Sequence, residues 1–416
     1  MKNRITAIIL CAALLLASAV TLTGCGTVLP AGAADLMEGI EAHDLGDPGR
    51  VGDADGAAAA DFAVRLFKEF AKGENVLVSP LSVLAALSMT ANGAKGETLS
   101  EMEAVLGMKC DALNAFFRSY MNALKPTDKC KLSLADSIWF RDGRFTVNQE
   151  FLQTNADYYD ADAYRVPFNG ETLKQINAWV KQNTDGMIPK ILDELSGSTV
   201  MVLINALAFD AEWQTVYRSD QIREGTFTLE DGTKRKADLM YSQEGAYLED
   251  ELATGFIKYY AGNRFAFVAM LPNEGVTVDE YIASLDGESL MKTLYGAKTL
   301  TVHAAIPKFQ TEYSSELKGV LSGMGMKKAF TADADFSGIG TSENGAISID
   351  SVIHKTFISV DEKGTKAGAA TAVIMKEAAA LYEETKTVIL DRPFVYMLVD
   401  TETYLPFFIG AMTDVG

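Results

Sequence analysis

The sequence predicts an α+β fold in one large domain, and three observations carry the prediction. Helical periodicity is concentrated in the first third of the chain. Strand alternation and hairpin signals fill the last half, and no internal repeat or second linker divides the two. Alternating βα units would interleave the patterns, and here they are segregated. With 416 residues, 48% of them hydrophobic, the chain can build a sizeable core.

Ala57 to Lys72 reads as an amphipathic helix, with Phe62, Leu66, Phe67 and Phe70 on one face and Gly73 at its end. Asn75 to Val78 is a short buried strand. Ser79 and Pro80 then open a helix as N-cap and first-turn proline, and Gly93 closes it. Thr98-Leu99-Ser100-Glu101 reads as the capping box of the next helix, which stops at Gly107. Leu132 to Phe140 alternates as a strand into the turn Arg141-Asp142-Gly143. Glu171 to Asn183 is helical, and Met201 to Phe209 is an apolar strand buried on both faces. Glu230-Asp231-Gly232 and Ala261-Gly262-Asn263 separate β-rich runs as hairpin turns. Strands continue at Leu300 to Phe309, Ile353 to Val360, Val388 to Val399 and Pro406 to Met412.

Composition and motifs exclude several functions. A net charge of −19 argues against nucleic-acid binding, which needs basic patches. There is no Gly-x-Ser-x-Gly elbow, no His-Glu-x-x-His, no phosphate loop and no Cys-x-x-Cys. His43, His303 and His354 are the only histidines, and none has a local partner pattern for base catalysis. Asp333 and Asp335 faintly resemble a calcium loop, but Asn344 stands where a bidentate glutamate belongs, so this is an acidic turn. No catalytic residue, metal ligand or cofactor site is expected.

The N-terminus reads as a targeting segment. Lys2 and Arg4 precede an apolar run from Ile5 to Leu22, followed by Thr23-Gly24-Cys25. This resembles a bacterial lipobox, which implies removal of residues 1–24 and lipidation of Cys25. Ordinary cleavage near Ala17-Ser18-Ala19 is the alternative. Residues 25–56 are rich in Ala, Gly and Asp and are expected to form a flexible extracellular tether, with the folded domain at 57–416. Processing leaves Cys110 and Cys130, which could pair or stay free.

The most informative stretch is Val360 to Glu384, VDEKGTKAGAATAVIMKEAAALYEE. Read at a period of two, Thr365, Ala367, Ala369, Thr371, Val373 and Met375 share one uncharged side and could enter a sheet facing a core. Its alanines suit a surface helix equally well, while Gly364, Gly368 and the β-branched residues argue against one. Residue type alone leaves both open.

The surrounding blocks decide. Glu362-Lys363-Gly364-Thr365 with its small residues, and Val388-Ile389-Leu390-Asp391-Arg392-Pro393-Phe394-Val395-Tyr396, resemble the loop hinge and C-terminal signature of the serpins. Asn75 to Thr98, Leu203 to Trp213 and Ile306-Pro307-Lys308-Phe309 resemble further blocks of that family, in the expected order across roughly residues 58 to 413. The resemblance implies helices packed on a large central, mostly antiparallel sheet with further sheets and an exposed reactive-centre loop at about 361–386. It implies a monomeric suicide inhibitor of serine proteases. The loop is attacked as a substrate and then inserts into the main sheet, trapping the acyl-enzyme.

Residue roles follow from the same resemblance. Family spacing places the scissile bond at Ala378-Ala379, suited to an elastase- or subtilisin-like pocket. This loop is several residues longer than usual, so the bond could fall anywhere from Met375 to Tyr382, and Lys376 would suit a trypsin-like target. Glu362, Gly364, Thr365, Ala367, Gly368, Ala369 and Ala370 match the hinge, with Lys366 where an acid is common and Gly368 where an alanine is common. Ser79, Ser82, Asn205 and His354 match the polar cluster where the central strands part. Trp213 matches the tryptophan above that opening, and Lys308 with Glu362 matches an ion pair at the loop base. Some members inhibit nothing, so a binding or storage module is the alternative. The expected location is the outer face of the cell envelope, lipid-anchored to the membrane through Cys25 or secreted.

Overall fold

The computed structural model describes residues 33–124, 127–143, 145–195, 199–343, 347–365 and 384–416. The chain opens with β1 (Ala34–Asp35), α1 (Asp53–Phe70), β2 (Val76–Val78), α2 (Pro80–Ala91), α3 (Gly96–Leu106) and α4 (Cys110–Ala123). It continues with β3 (Cys130–Arg141), β4 (Phe145–Val147), α5 (Gln149–Tyr159), β5 (Asp162–Val166), α6 (Gly170–Asn183) and β6 (Met201–Glu212). The second half holds β7 (Ile222–Thr228), β8 (Lys234–Glu249), β9 (Ala253–Tyr259), β10 (Phe265–Pro272), α7 (Val278–Ser284), α8 (Gly287–Tyr295), β11 (Lys298–Pro307), β12 (Phe309–Glu316) and α9 (Lys318–Met324). Then come β13 (Gly340–Ser342), β14 (Ile353–Val360), β15 (Gly364–Thr365), β16 (Thr385–Ile389), β17 (Phe394–Asp400) and β18 (Pro406–Met412). Helices dominate the first third and strands the second half, where the short helices α7, α8 and α9 intervene.

The strands form a seven-stranded sheet in the order β1-β5-β3-β6-β15-β14-β12 and a nine-stranded sheet in the order β16-β11-β8-β9-β10-β17-β18-β2, with β7 paired to β8. Pairing is antiparallel except at β3–β5 and β11–β16. Strand β6 is apolar on both faces because both are covered. Leu203, Leu207 and Phe209 join the main core, while Val202, Ile204 and Ala206 join a second cluster with Ile176, Trp179 and Val180 of α6. The turns at 230–232 and 261–263 lie between paired strands, as read from the sequence.

Four readings need correction. Residues 33–52 are no free tether. Ala34 and Asp35 pair with Arg165 and Tyr164 at the edge of β5, Leu36, Met37, Ile40 and Val51 pack on the core, and Ser119 donates to the Pro48 carbonyl at 3.0 Å. Four apolar side chains with an edge-strand partner are enough to order a segment whose average composition looks solvated. The capping box at 98–101 does not form either. The helix begins at Gly96, Thr98 Oγ1 accepts from Asp335 N, and the Glu101 carboxylate accepts from the backbone amides of Lys327 and Lys328. Tertiary partners took both side chains. Asn92 rather than Gly93 caps α2, and a Cβ at Gly93 would meet Ile339 Cγ1 at 2.1 Å, so close packing explains that glycine. The run Val388–Val399 is two strands in one sheet, broken around Pro393.

Cys110 and Cys130 are both free thiols. Burial, with nearby carboxylates, pushes them up to about 11 and about 12.

Candidate functional site

The site is a seam in the seven-stranded sheet. Among the described residues, β6 and β14 are linked at one end by the two residues of β15 and near the other by the single bridge Leu203↔Val352. Thr365 pairs with Val360 of β14 and Ala211 of β6, and Gly364 pairs with Glu212. The chain therefore leaves β14, turns at Asp361–Lys363, and drops back into the sheet. Asp361 Oδ1 accepts from the amides of Lys363 and Gly364 at 2.7 and 3.2 Å, which tightens the turn. Gly364 is required by proximity, since a Cβ there would lie 1.9 Å from the Ala211 carbonyl oxygen.

The turn is held from below. Trp213 Nε1 donates to the Asp361 carbonyl at 2.8 Å. The amides of Trp213 and Tyr217 donate to the Lys363 and Glu362 carbonyls at 2.8 and 3.0 Å. Lys308 Nζ stands 2.7 Å from Glu362 Oε2, and that hydrogen bond holds the Glu362 carboxyl below the usual range. Thr365 is 2% exposed and hydrogen-bonds through its hydroxyl to that of Tyr260, which stacks on Trp213 at 4.5 Å. Thr365 therefore faces the core, as the period-two reading has it.

Further down the seam, Asn205 and His354 stand level on its two lips, each two residues on from the bridged pair Leu203 and Val352. His354 is buried, and its Nε2 accepts from the Ser79 amide at 3.0 Å. Burial pulls its pKa down to about 4, so it is neutral near pH 7. Ser79 and Ser82 are buried at the start of α2 beneath. The expected cluster is thus only partly joined, because Asn205 Nδ2 donates instead to Asp136 Oδ1 on β3. Ser79 Oγ and Asn205 Oδ1 have no hydrogen-bond partner among the described residues. Burial pushes the Asp136 carboxyl up to about 7, against the Asn205 hydrogen bond, which lowers it.

Sequence reasoning missed Asp136, Tyr260, Tyr217 and Lys258. Asp136 had a signal, since it sits in the alternating set Leu132, Leu134, Asp136, Ile138, Phe140, where a carboxylate is out of place. The other three carry none. His303 is exposed on β11 and away from the seam. No group of three His, Cys, Asp or Glu side chains is arranged to hold a metal among the described residues. Ala367, Gly368, Ala369 and Ala370 of the hinge, the bond Ala378-Ala379, Lys376 and Cys25 lie outside the described residues.

The seven-stranded sheet thus holds the two residues of β15 between β6 and β14, with one bridge between those strands further along among the described residues. A family model described as "Serpin (serine protease inhibitor)" matches residues 57–415. An uncharacterized serpin-like protein of Thermococcus kodakarensis is 35% identical, covering 86% of this chain and 85% of its own. The protein Iris of Ixodes ricinus is 30% identical over 85% of this chain and 97% of its own. The thermophilic serpin tengpin is similar in its native state, with a TM-score of 0.87, 44% identity and coverage of 92% and 100% of the two chains. In its latent state the TM-score is 0.78, with 41% identity and coverage of 88% and 100%. The chain belongs to the serpin family, whose members are generally serine protease inhibitors rather than enzymes.

Proposed function

We propose that this protein is a suicide inhibitor of serine proteases, cleaved near Ala378-Ala379 by elastase- or subtilisin-like enzymes and trapping them by inserting its loop into the seam. The observation that carries the proposal is the placement of Gly364 and Thr365 between β6 and β14. Each residue further along the loop would pair one residue further back on β6. Continuing that register sets Thr371 level with Asn205 and His354, and Met375 beside Met201 at the end of β6. The twelve residues of β6 correspond to about 40 Å at roughly 3.3 Å each. A protease acylated at Ala378 would be carried the length of the sheet.

The drive would come from ladder bonds on both sides of the new strand, each worth about 1 kcal/mol net, together with burial of its uncharged face. The existence of native and latent structures for one similar chain supports two stable arrangements of this fold. Incubation with elastase or subtilisin should give a denaturant-stable covalent complex and a released fragment beginning at Ala379. A fragment beginning at Glu377 moves the bond to Lys376 and the target to trypsin-like enzymes. Complete cleavage without any complex would favour the non-inhibitory alternative.

The protein acts outside the cell on a lipid anchor at Cys25, a reading supported by the basic, apolar and Thr-Gly-Cys order of the first 25 residues. Cys25→Ala should move it from the membrane fraction to the soluble one. An unchanged membrane fraction would refute the anchor.

A further inference from the structure

Beside the loop base lies a charged pair outside the five sequence blocks that carry the resemblance. Lys258 of β9 is 2% exposed, and its Nζ stands 2.8 Å from Glu244 Oε1 of β8. The ammonium also lies over two rings, 4.4 Å from the Tyr217 centroid and 5.3 Å from that of Trp213. Ser242 Oγ donates to the same Glu244 oxygen at 2.6 Å, and the Tyr217 hydroxyl meets Ser242 Oγ at 3.3 Å. Lys258, Glu244, Ser242 and Tyr217 thus close a ring of contacts. The two aromatic residues under the ammonium are those whose backbone amides grip the Lys363 and Glu362 carbonyls.

Stability alone is a poor reason for such a pair. Desolvation offsets much of the attraction between buried charges, and neutral replacements of similar volume often fold as well or better. What a buried pair does supply is a fixed arrangement, because either charge without the other is strongly disfavoured. We propose that Lys258 and Glu244 are positioning residues for the loop base: they hold Tyr217 and Trp213 where their amides clamp residues 361–363 and keep Thr365 between the strands. The same β8 pairs with β11, and β11 with β16, the strand on the outgoing side of the loop. The proposal rests on reading the intervening segment as the protease-facing loop, although its geometric consequence needs no protease.

The test is hydrogen–deuterium exchange of the full chain, followed by mass spectrometry, for the wild type, Lys258→Met and Lys258→Met/Glu244→Gln. The single variant leaves a buried carboxylate unpaired and should lose stability everywhere. The double variant leaves no charge unpaired, so it separates positioning from stability. Exchange in peptides covering 213–217 and 361–365 is normalised to the core strand β10. The expected result is loop-base exchange at least tenfold faster than wild type after normalisation, in the double variant as well as the single one. A double variant whose normalised loop-base exchange is unchanged or slower overturns the proposal and leaves the pair a stability element only. A protein that traps no protease yet shows the selective loosening refutes the proposed function and leaves the positioning role standing.

Discussion

Replacing Asp136 by asparagine should stabilise the protein in a pH-dependent way. Asp136 is 4% exposed, and its hydrogen bond comes from the Asn205 amide. Its pKa is about 7 in the fold against an ordinary 3.8, with burial as the main cause. The unfolded chain therefore releases this proton near pH 4, whereas the folded chain holds it to near pH 7. As pH rises through that window the folded state loses stability, by about 1.4 kcal/mol for each pH unit crossed. The window spans roughly three pH units, so the loss reaches about 4 kcal/mol by pH 8. Asparagine has nothing to ionise, and its amide could also donate to Asn205 Oδ1, which is without a partner among the described residues. His354 has the opposite slope. Its pKa is lowered by burial to about 4, so its contribution is complete above about pH 6.5 and is lost as pH falls toward 4. Urea midpoints of the wild type and Asp136→Asn at pH 4.5 and pH 8 make the comparison. The variant's advantage should be near zero or negative at the lower pH and several kcal/mol at the higher. An advantage of equal size at both would mean that Asp136 does not titrate across this range.

Three other outcomes follow, two from the seam and one from the β5 edge. Thr365→Arg would force an unpaired cation against Tyr260 in the core, costing several kcal/mol wherever residue 365 lies between β6 and β14, in the intact protein as well as after insertion. Cleavage by a target protease should stay at wild-type rate while covalent complex falls at least tenfold on gels, and undiminished complex would refute the placement of the hinge. Thr371→Val should reduce the gain in melting temperature on loop cleavage by an amount corresponding to about 1 kcal/mol, because the proposed insertion register would bring its hydroxyl level with Asn205 and His354. An unchanged gain would show that the inserted strand takes another register. Deleting residues 1–52 uncovers the β5 edge and the sites of Leu36, Met37 and Ile40, so the urea midpoint should fall by the equivalent of a few kcal/mol. A midpoint equal to wild type would mean that the segment does not dock.

Much of this protein is legible locally because its signals are local. Glu230-Asp231-Gly232 makes a hairpin whatever lies around it, since only a few backbone conformations join two strands in so few residues. Once the family blocks decide for a strand over a helix, alternation puts Thr365 on the core face, where it is 2% exposed. The pairing of Lys308 with Glu362 at 2.7 Å follows from family resemblance rather than from any pattern in the residues themselves. The capping box fails for a different reason. Thr98 and Glu101 have capping chemistry, but a hydroxyl and a carboxylate serve any amide within reach, and the nearest ones came from residues more than two hundred positions away.

By itself the sequence determined the segregation of helices from strands, the turns, the uncharged face of the loop and the absence of recognised catalytic motifs. These depend on periodicity and on residues next to one another in the chain. Only the tertiary structure decided that residues 33–52 dock along β5, that Asn205 bonds Asp136 while His354 takes Ser79, and that Lys258 is buried against Glu244. In each case the same side chain is cheap in water and costly when buried. Which of the two applies depends on distant elements that desolvate it and supply its partner, and no local pattern carries that information.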